Sequence, residues 1–257
     1  MSPGMSELFG RLRRAALGGA LLLSGLASPA GAVVGGSESA GPLSRSAVMV
    51  LNSRGGMCSG VVLAPDVVLT AAHCVAGDGE FRVHWRGDDG QPVLITPAAR
   101  ALHPLYVSNS VAERRRSIDL AMLRVPTPLP GRFGPAALAS GPPAKGSAVT
   151  LGGYGVAREG DARSTGTFRT AELAVVEPYG RSSILLWVSG RRGVGACEGD
   201  SGGPIAADGG AVAAVTSWAA GEAQRGCGAM SQGVLVGPQR SWIDRTMGTW
   251  SRAAEWR

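Results

Sequence analysis

Short apolar runs rich in β-branched residues, each broken within a few positions by glycine or proline, recur along this 257-residue chain and exclude most helical architectures. Val48-Met49-Val50-Leu51, Gly60-Val61-Val62-Leu63 and Val67-Val68-Leu69-Thr70 are separated by Gly55-Gly56 and Pro65-Asp66, which predicts successive antiparallel strands. The same pattern predicts strands over 81–85, 93–96, 120–125, 148–151, 171–176, 184–188, 205–207 and 212–217. The 40 glycines and 16 prolines follow no fixed period, so they read as turn residues and not as a collagen-like repeat. A hydrophobic content of 44% is enough for a buried core and excludes a disordered chain. The Pro-, Gly- and Ala-rich stretch 126–143 divides the strands into two groups and predicts a crossover between two β-subdomains. Beyond Pro238, the residues Trp242, Ile243, Met247 and Trp250 fall at helical spacing, which predicts one C-terminal helix over 239–250 that caps a sheet.

The N-terminal segment has the make-up of an export signal. Arg11, Arg13 and Arg14 precede an apolar run from Ala15 to Ala27, too short to span a bilayer comfortably, and small residues follow. Ala30-Gly31-Ala32 offers small side chains at the positions a signal peptidase reads, so cleavage after Ala32 would leave Val33 first; Ser28-Pro29-Ala30 is a competing site. Residues 1–32 are therefore read as a signal peptide and 33–257 as the mature, extracellular domain. Losing three arginines and Glu7 lowers the net charge from +6 by 2 to +4. That mild charge gives little support to a cationic protein acting on membranes or anionic polymers.

Cys58, Cys74, Cys197 and Cys227 form an even set in a chain that reads as exported, which predicts two disulfides with three pairings open by spacing alone. No close C-x-x-C pair supports zinc.

Three motifs carry chemistry: Leu69-Thr-Ala-Ala-His-Cys74, Asp119-Leu-Ala-Met-Leu123 and Gly195-Ala-Cys-Glu-Gly-Asp-Ser-Gly-Gly-Pro204. A serine hydroxyl is a poor nucleophile at neutral pH. It needs a base within hydrogen-bond reach and a third group that holds the base in one tautomer. His73, Asp119 and Ser201 are residues of the right types. Together, and in the order His, Asp, Ser, the motifs resemble those of the chymotrypsin/trypsin-like serine peptidase family, from Val33 to the C-terminal helix.

The resemblance implies an all-β fold of two antiparallel six-stranded β-barrels, with the active site between them and a C-terminal helix. It implies a secreted serine endopeptidase that hydrolyses peptide bonds through an acyl-enzyme intermediate. Ser201 would be the nucleophile, His73 the general base and acid, and Asp119 the stabiliser of the imidazolium. Gly199 and Ser201 would supply the two backbone N–H groups of the oxyanion hole, with Gly202 and Gly203 continuing the close approach. The implied disulfides are Cys58–Cys74 and Cys197–Cys227. Val33-Val-Gly-Gly36 resembles the family's mature N-terminus, whose amine would pair with Asp200; because Ala32 precedes it, export alone would create that amine.

The specificity pocket is implied at Gly195, Ala196, Ser217, Trp218, Ala219 and Gly233. Gly195 stands where trypsin-like members carry an aspartate, so a neutral, apolar pocket is expected and not cleavage after Arg or Lys. Ala219 would narrow the entrance, and Ser217 to Ala219 would pair with the substrate backbone as an added strand. Glu198, Arg191, Arg192 and Arg114-Arg115-Arg116 read as solvated loop charges, and the absence of interleaved aromatics argues against nucleic acid. Gly87-Asp-Asp-Gly90 reads as a hairpin turn and not as a calcium loop, so no metal or cofactor is expected. The expected partners are protein or peptide substrates and protein inhibitors, with a monomeric chain and no stable membrane span. The rival reading is a catalytically silent homologue that serves as a secreted binding module, since a fold does not fix a function.

Overall fold

The computed structural model describes residues 33–110, 113, 115–191, 193–222 and 226–257. The predicted signal segment 1–32, Arg114 and Arg192 lie outside the described residues. In chain order the elements are β1 (Ser37–Glu38), α1 (Pro42–Arg45), β2 (Ala47–Asn52), β3 (Met57–Ala64), β4 (Val67–Thr70), α2 (Ala72–Val75), β5 (Phe81–Arg86), β6 (Pro92–Ile95), β7 (Ala99–Leu102) and β8 (Ala121–Arg124). Then follow β9 (Ala148–Gly153), β10 (Arg169–Val176), β11 (Leu185–Ser189), β12 (Pro204–Ala206), β13 (Val212–Ala220), β14 (Met230–Leu235) and α3 (Arg240–Thr249).

The strands form two antiparallel sheets. The first runs β6-β5-β2-β3-β4-β8-β7, and its two edges, β6 and β7, are consecutive pieces of the chain joined through Thr96-Pro97-Ala98. Proline cannot donate to a ladder, so the strand is interrupted there. Counted as one strand, β6 and β7 leave a six-stranded barrel. The second sheet runs β1-β10-β11-β14-β13-β12-β9, and a further β9–β10 pairing closes six of these strands into a ring. The two-residue β1 adds to its rim, with Ser37 opposite Thr170. The two architectures expected from the sequence are therefore present, each with a short extra strand segment.

Three large apolar clusters among the described residues hold the fold. Val48, Val50, Val62, Val68, Val83 and Leu123 fill the first barrel, and Val149, Leu151, Leu173, Val188, Ile205 and Leu235 fill the second. The third cluster lies between the barrels: Leu63, Leu69 and Leu120 from one side meet Leu138, Val215 and Val234 from the other, with Trp242, Ile243 and Met247 of α3. Each fully buried large aliphatic side chain contributes roughly 1.5–3 kcal/mol, so this seam fixes the barrels relative to each other. The linking segment is stitched to both: Ala136 N–H donates to the Val62 carbonyl at 2.8 Å and Ala139 N–H to that of Val212 at 2.8 Å.

β7 and β14 were not predicted as strands. Ala99-Arg-Ala-Leu102 has no β-branched residue, and Met230-Ser-Gln-Gly-Val-Leu235 carries Ser, Gln and Gly inside the run. Pairing with neighbours overrides weak propensity in both. Gly87 to Gly90 does turn the chain between β5 and β6, with Gly90 N–H on the Gly87 carbonyl at 2.9 Å.

Asp66 is 4% exposed and ties the C-terminal tail to the first barrel, accepting Arg252 Nε at 2.7 Å and Arg124 Nε at 3.3 Å. Asp66→Ala removes the carboxylate shared by Arg124 and Arg252 and is expected to destabilise the protein by about 1–3 kcal/mol in urea unfolding. An unchanged midpoint would show that the cluster contributes nothing to stability.

Candidate active site

The site lies where the two barrels meet. His73 sits in α2, a single helical turn directly after β4, and Cys74 beside it is bonded to Cys58 on β3. Asp119 lies between Ile118 and Leu120, which are 2% and 0% exposed. The chain turns tightly at Asp119, where Leu120 N–H donates to the Ile118 carbonyl at 2.9 Å, so its two buried neighbours anchor the turn and the carboxylate projects towards His73. Asp119 Oδ2 accepts from His73 Nδ1 at 2.6 Å, and Oδ1 accepts from the His73 backbone N–H at 2.8 Å. A third donor comes from the second barrel: Ser217 Oγ reaches Oδ2 at 2.5 Å. Ser217 sits at an irregularity in β13, where the register with β14 shifts between Thr216 and Trp218. Such a bulge re-aims a side chain, which here brings the hydroxyl onto the carboxylate.

Burial raises the Asp119 carboxyl, but the hydrogen bonds from the His73 ring, the Ser217 hydroxyl and the His73 amide, with the charge of His73, outweigh it and hold it below its ordinary value. An ionised carboxylate only accepts, so the ring proton belongs on Nδ1 and Nε2 is left as an acceptor. That is the tautomer a general base requires. His73 remains 40% exposed on its side chain.

Ser201 is delivered by the turn that precedes β12. Its carbonyl accepts the Ser59 N–H at 2.7 Å, Gly202 N–H donates to the Thr216 carbonyl at 2.7 Å, and Gly203 N–H donates to that of Asp200 at 2.9 Å. Among the described residues the Ser201 hydroxyl has no hydrogen bond to the His73 ring, and the backbone N–H groups of Gly199 and Ser201 have no acceptor. The Asp200 N–H between them is occupied by the Cys197 carbonyl at 3.1 Å. Gly199 has φ 93, and a Cβ there would come within 2.5 Å of Met57 Cε and 2.8 Å of Gly155 Cα, so only glycine fits. At Gly202, with φ 85, a side chain would collide with the Ser59 carbonyl and the Thr70 hydroxyl.

Asp200 is completely buried, and its oxygens accept from Gly155 N–H and Cys197 N–H, each at 2.9 Å. Burial pushes its carboxyl up to about 7 despite those two bonds; the nearby Glu198 adds to the rise and Arg169 opposes it. Among the described residues it has no ion pair. Val33 is 0% exposed within the second barrel's core, and Gly195 N–H donates to the Val34 carbonyl at 3.0 Å.

The pocket residues assemble with one rearrangement. Gly195 and Ala196 lie opposite β13 and β14, where Ala219 pairs with Ser231. Ser231, and not Gly233, faces Gly195: a Cβ on Gly195 would lie 3.0 Å from Ser231 Oγ, and Ala196 N–H donates to that oxygen at 2.9 Å. Gly233 lies one pleat deeper on the same face, against Ile205 and Ala214. Glu198 is exposed with its carboxylate against the Cys197–Cys227 disulfide, 3.3 Å from Cys227 Sγ. Arg191 is exposed, as are Arg115 and Arg116. Trp218 stacks edge-on with Trp187 at 6.0 Å.

Sequence reading missed Ser59, Thr70 and Ser231. For Ser59 and Thr70 the available signal was a lone hydroxyl in an otherwise apolar strand, which burial makes costly without a partner but which does not say what that partner is; Ser231, beside Gln232 in β14, gave no such signal. Among the described residues the two groupings of cysteines with a possible metal donor, Cys58-His73-Cys74 and Cys197-Glu198-Cys227, each contain a cystine, so their sulfurs are not thiolates.

The sequence model of a family described as Trypsin matches residues 33–243. Kallikrein-15 of Saguinus oedipus is 30% identical over 220 residues, spanning 77% of this chain and 84% of its own. Granzyme M of Rattus norvegicus is 29% identical over 248 residues, spanning 85% and 90%. The solved structure of neuropsin, a serine protease expressed in the limbic system of mouse brain, superposes with a TM-score of 0.69 at 23% identity, covering 84% of this chain and all of that one (100%).

Asp119→Asn keeps the shape but removes the charge and favours the wrong imidazole tautomer. It is expected to lower kcat by about 10⁴-fold in hydrolysis assays in a protein that still folds cooperatively. A loss below about tenfold would show that the contact is only structural.

Proposed function

The chain belongs to the trypsin family of serine peptidases and is a serine-type endopeptidase, and from that premise we propose the roles of its residues. Ser201 Oγ attacks the scissile carbonyl while His73 Nε2 takes its proton. The Asp119 carboxylate stabilises the imidazolium, and the tetrahedral oxygen is held by the N–H groups of Gly199 and Ser201. His73 then gives the proton to the leaving amine, and water repeats the cycle on the acyl-enzyme. The carrying observation is the pair of unclaimed amides on either side of Asp200, next to a histidine already fixed in its basic tautomer.

Substrates are taken in a neutral pocket. Gly195 brings no carboxylate to its floor, Ala196 and Ala219 are small, and the Ser231 hydroxyl is the polar group against Gly195. A cationic side chain would lose its hydration there without a counter-charge, so small to medium apolar side chains are preferred. Ser217 to Ala219 pair with the substrate backbone as an added strand.

Activation follows export of the chain and removal of residues 1–32. Val33 sits at φ 55, a conformation that costs a β-branched residue dearly, and cleavage before it abolishes that torsion. The new amine then has a buried partner in Asp200, which among the described residues makes no ion pair.

Two tests follow. Reaction of the secreted protein with a fluorophosphonate probe is expected to label Ser201 in a chain beginning at Val33, and Ser201→Ala abolishes labelling. A chain that begins at Val33 and stays unlabelled contradicts the enzymatic roles and favours a binding module. The second test uses Ser201→Ala versions of the full chain and of the chain starting at Val33. Folding raises the Asp200 carboxyl from 3.8 to about 7, so the folded full chain holds this proton more tightly than the unfolded one. Its contribution to stability is greatest below pH 3.8 and is lost as pH rises through about 7. The full chain is expected to lose melting temperature across that window relative to the Val33 chain, where the amine pairs with the carboxylate. Parallel pH curves would contradict the ion pair.

A further inference from the structure

We infer that Ser59 is a positioning residue for the oxyanion site, its buried hydroxyl fixing the peptide that carries the Gly199 carbonyl and hence the direction of the Gly199 N–H. The inference rests on the reading of that N–H as an oxyanion donor.

Ser59 is the only hydroxyl-bearing residue of β3, Met57-Cys-Ser-Gly-Val-Val-Leu-Ala64, and it is 0% exposed. A hydroxyl so placed is costly unless bonded, and this one is used twice. It donates to the Gly199 carbonyl at 2.9 Å and accepts from Tyr154 N–H at 2.9 Å. The same residue's backbone N–H holds the Ser201 carbonyl at 2.7 Å, and its carbonyl accepts Thr70 Oγ1 at 2.8 Å, just before the turn with His73. One residue of the first barrel thus touches the oxyanion glycine, the nucleophile and the strand that leads to the base.

The geometry of Gly199 shows what the hydroxyl controls. Two peptide planes flank this residue. In the first, the Glu198 carbonyl accepts Val156 N–H at 2.8 Å, and because a trans peptide sets C=O and N–H on opposite sides, the Gly199 N–H points away from Val156. In the second, the Gly199 carbonyl is held by Ser59 Oγ and the Asp200 N–H by the Cys197 carbonyl at 3.1 Å. Glycine at φ 93 has alternative backbone conformations close in energy, so both planes must be held for one N–H direction to dominate. Removing the hydroxyl frees one side of the second plane and leaves Tyr154 N–H without its acceptor. The ensemble then includes loops with the Gly199 N–H turned aside. That state still accepts substrate in the pocket, whose walls at Gly195, Ala219 and Ser231 share no hydrogen bond with Ser59. It fails to stabilise the tetrahedral oxygen.

The test compares the mature wild-type protein with Ser59→Ala, Ser59→Cys and Ser201→Ala. Ser59→Cys replaces the oxygen by a somewhat larger sulfur that donates more weakly, and it provides a second folded variant should Ser59→Ala fold poorly. In the folded variants kcat is expected to fall about tenfold with KM within about twofold, a fraction of the loss seen when a whole oxyanion donor is deleted. Inhibition by a peptide boronate, which forms a tetrahedral adduct, is expected to weaken by a similar factor. Inhibition by the corresponding cleaved peptide acid, which forms none, is expected to stay unchanged. An unchanged kcat in a folded variant overturns the inference. So does an equal loss for boronate and peptide acid, which would mark general damage to the site. Hydrolysis that survives Ser201→Ala would instead overturn the underlying assignment of nucleophile and oxyanion site.

Discussion

The Asp119 carboxylate is the contact on which the rest of the site depends. Its side chain is only 13% exposed, and it stays charged because donors converge on it from both halves of the fold: the His73 ring and backbone from the first barrel and the Ser217 hydroxyl from the second. An ionised group taken out of water demands such donors. The demand registers the barrels to each other at the point where the chemistry is proposed to take place. The apolar seam of Leu63, Leu69, Leu120, Val215 and Val234 supplies the bulk of the attraction, and the carboxylate selects the register within it.

A second buried carboxylate has the opposite character. Asp119 has its charge answered by several donors, whereas Asp200 has two amides and, among the described residues, no ion pair, and burial raises its carboxyl to about 7 although Arg169 opposes the rise. The two acids thus divide the work on the proposed account, one keeping the base in its working tautomer and the other waiting for a cation that cleavage creates. The peptide units around Gly199 connect them. They are bounded by Asp200 on one side and by Ser59 of the first barrel on the other, so a change at either carries to the direction of one N–H group. Such coupling needs no long pathway, because Gly155, Glu198, Gly199 and Asp200 are bonded or packed neighbours.

The parts of the site legible in the sequence were those in which chemistry dictates both residue type and local neighbours. His73 beside Cys74, and Ser201 amid Asp200, Gly202 and Gly203, are contiguous strings, and most strands were visible as apolar runs. What escaped depends on distant partners. Ser59 finds the Gly199 carbonyl 140 positions away, and no local pattern around Cys58-Ser59-Gly60 announces it. Ser231 and not Gly233 faces Gly195, and the register of β14 against β13, which shifts between Thr216 and Trp218, is set by that bulge and leaves no local mark in the sequence. β7 and β14 escaped because their residues have poor strand propensity and owe their conformation to the neighbours they pair with.

The most direct test of the central claim is a crystal structure of the mature protein after reaction with a peptide boronate. The account predicts boron bonded to Ser201 Oγ, one boronate oxygen about 3 Å from both the Gly199 and Ser201 N–H nitrogens, and His73 Nε2 facing the adduct. Boron bonded elsewhere, or an oxygen that meets neither amide, would contradict it.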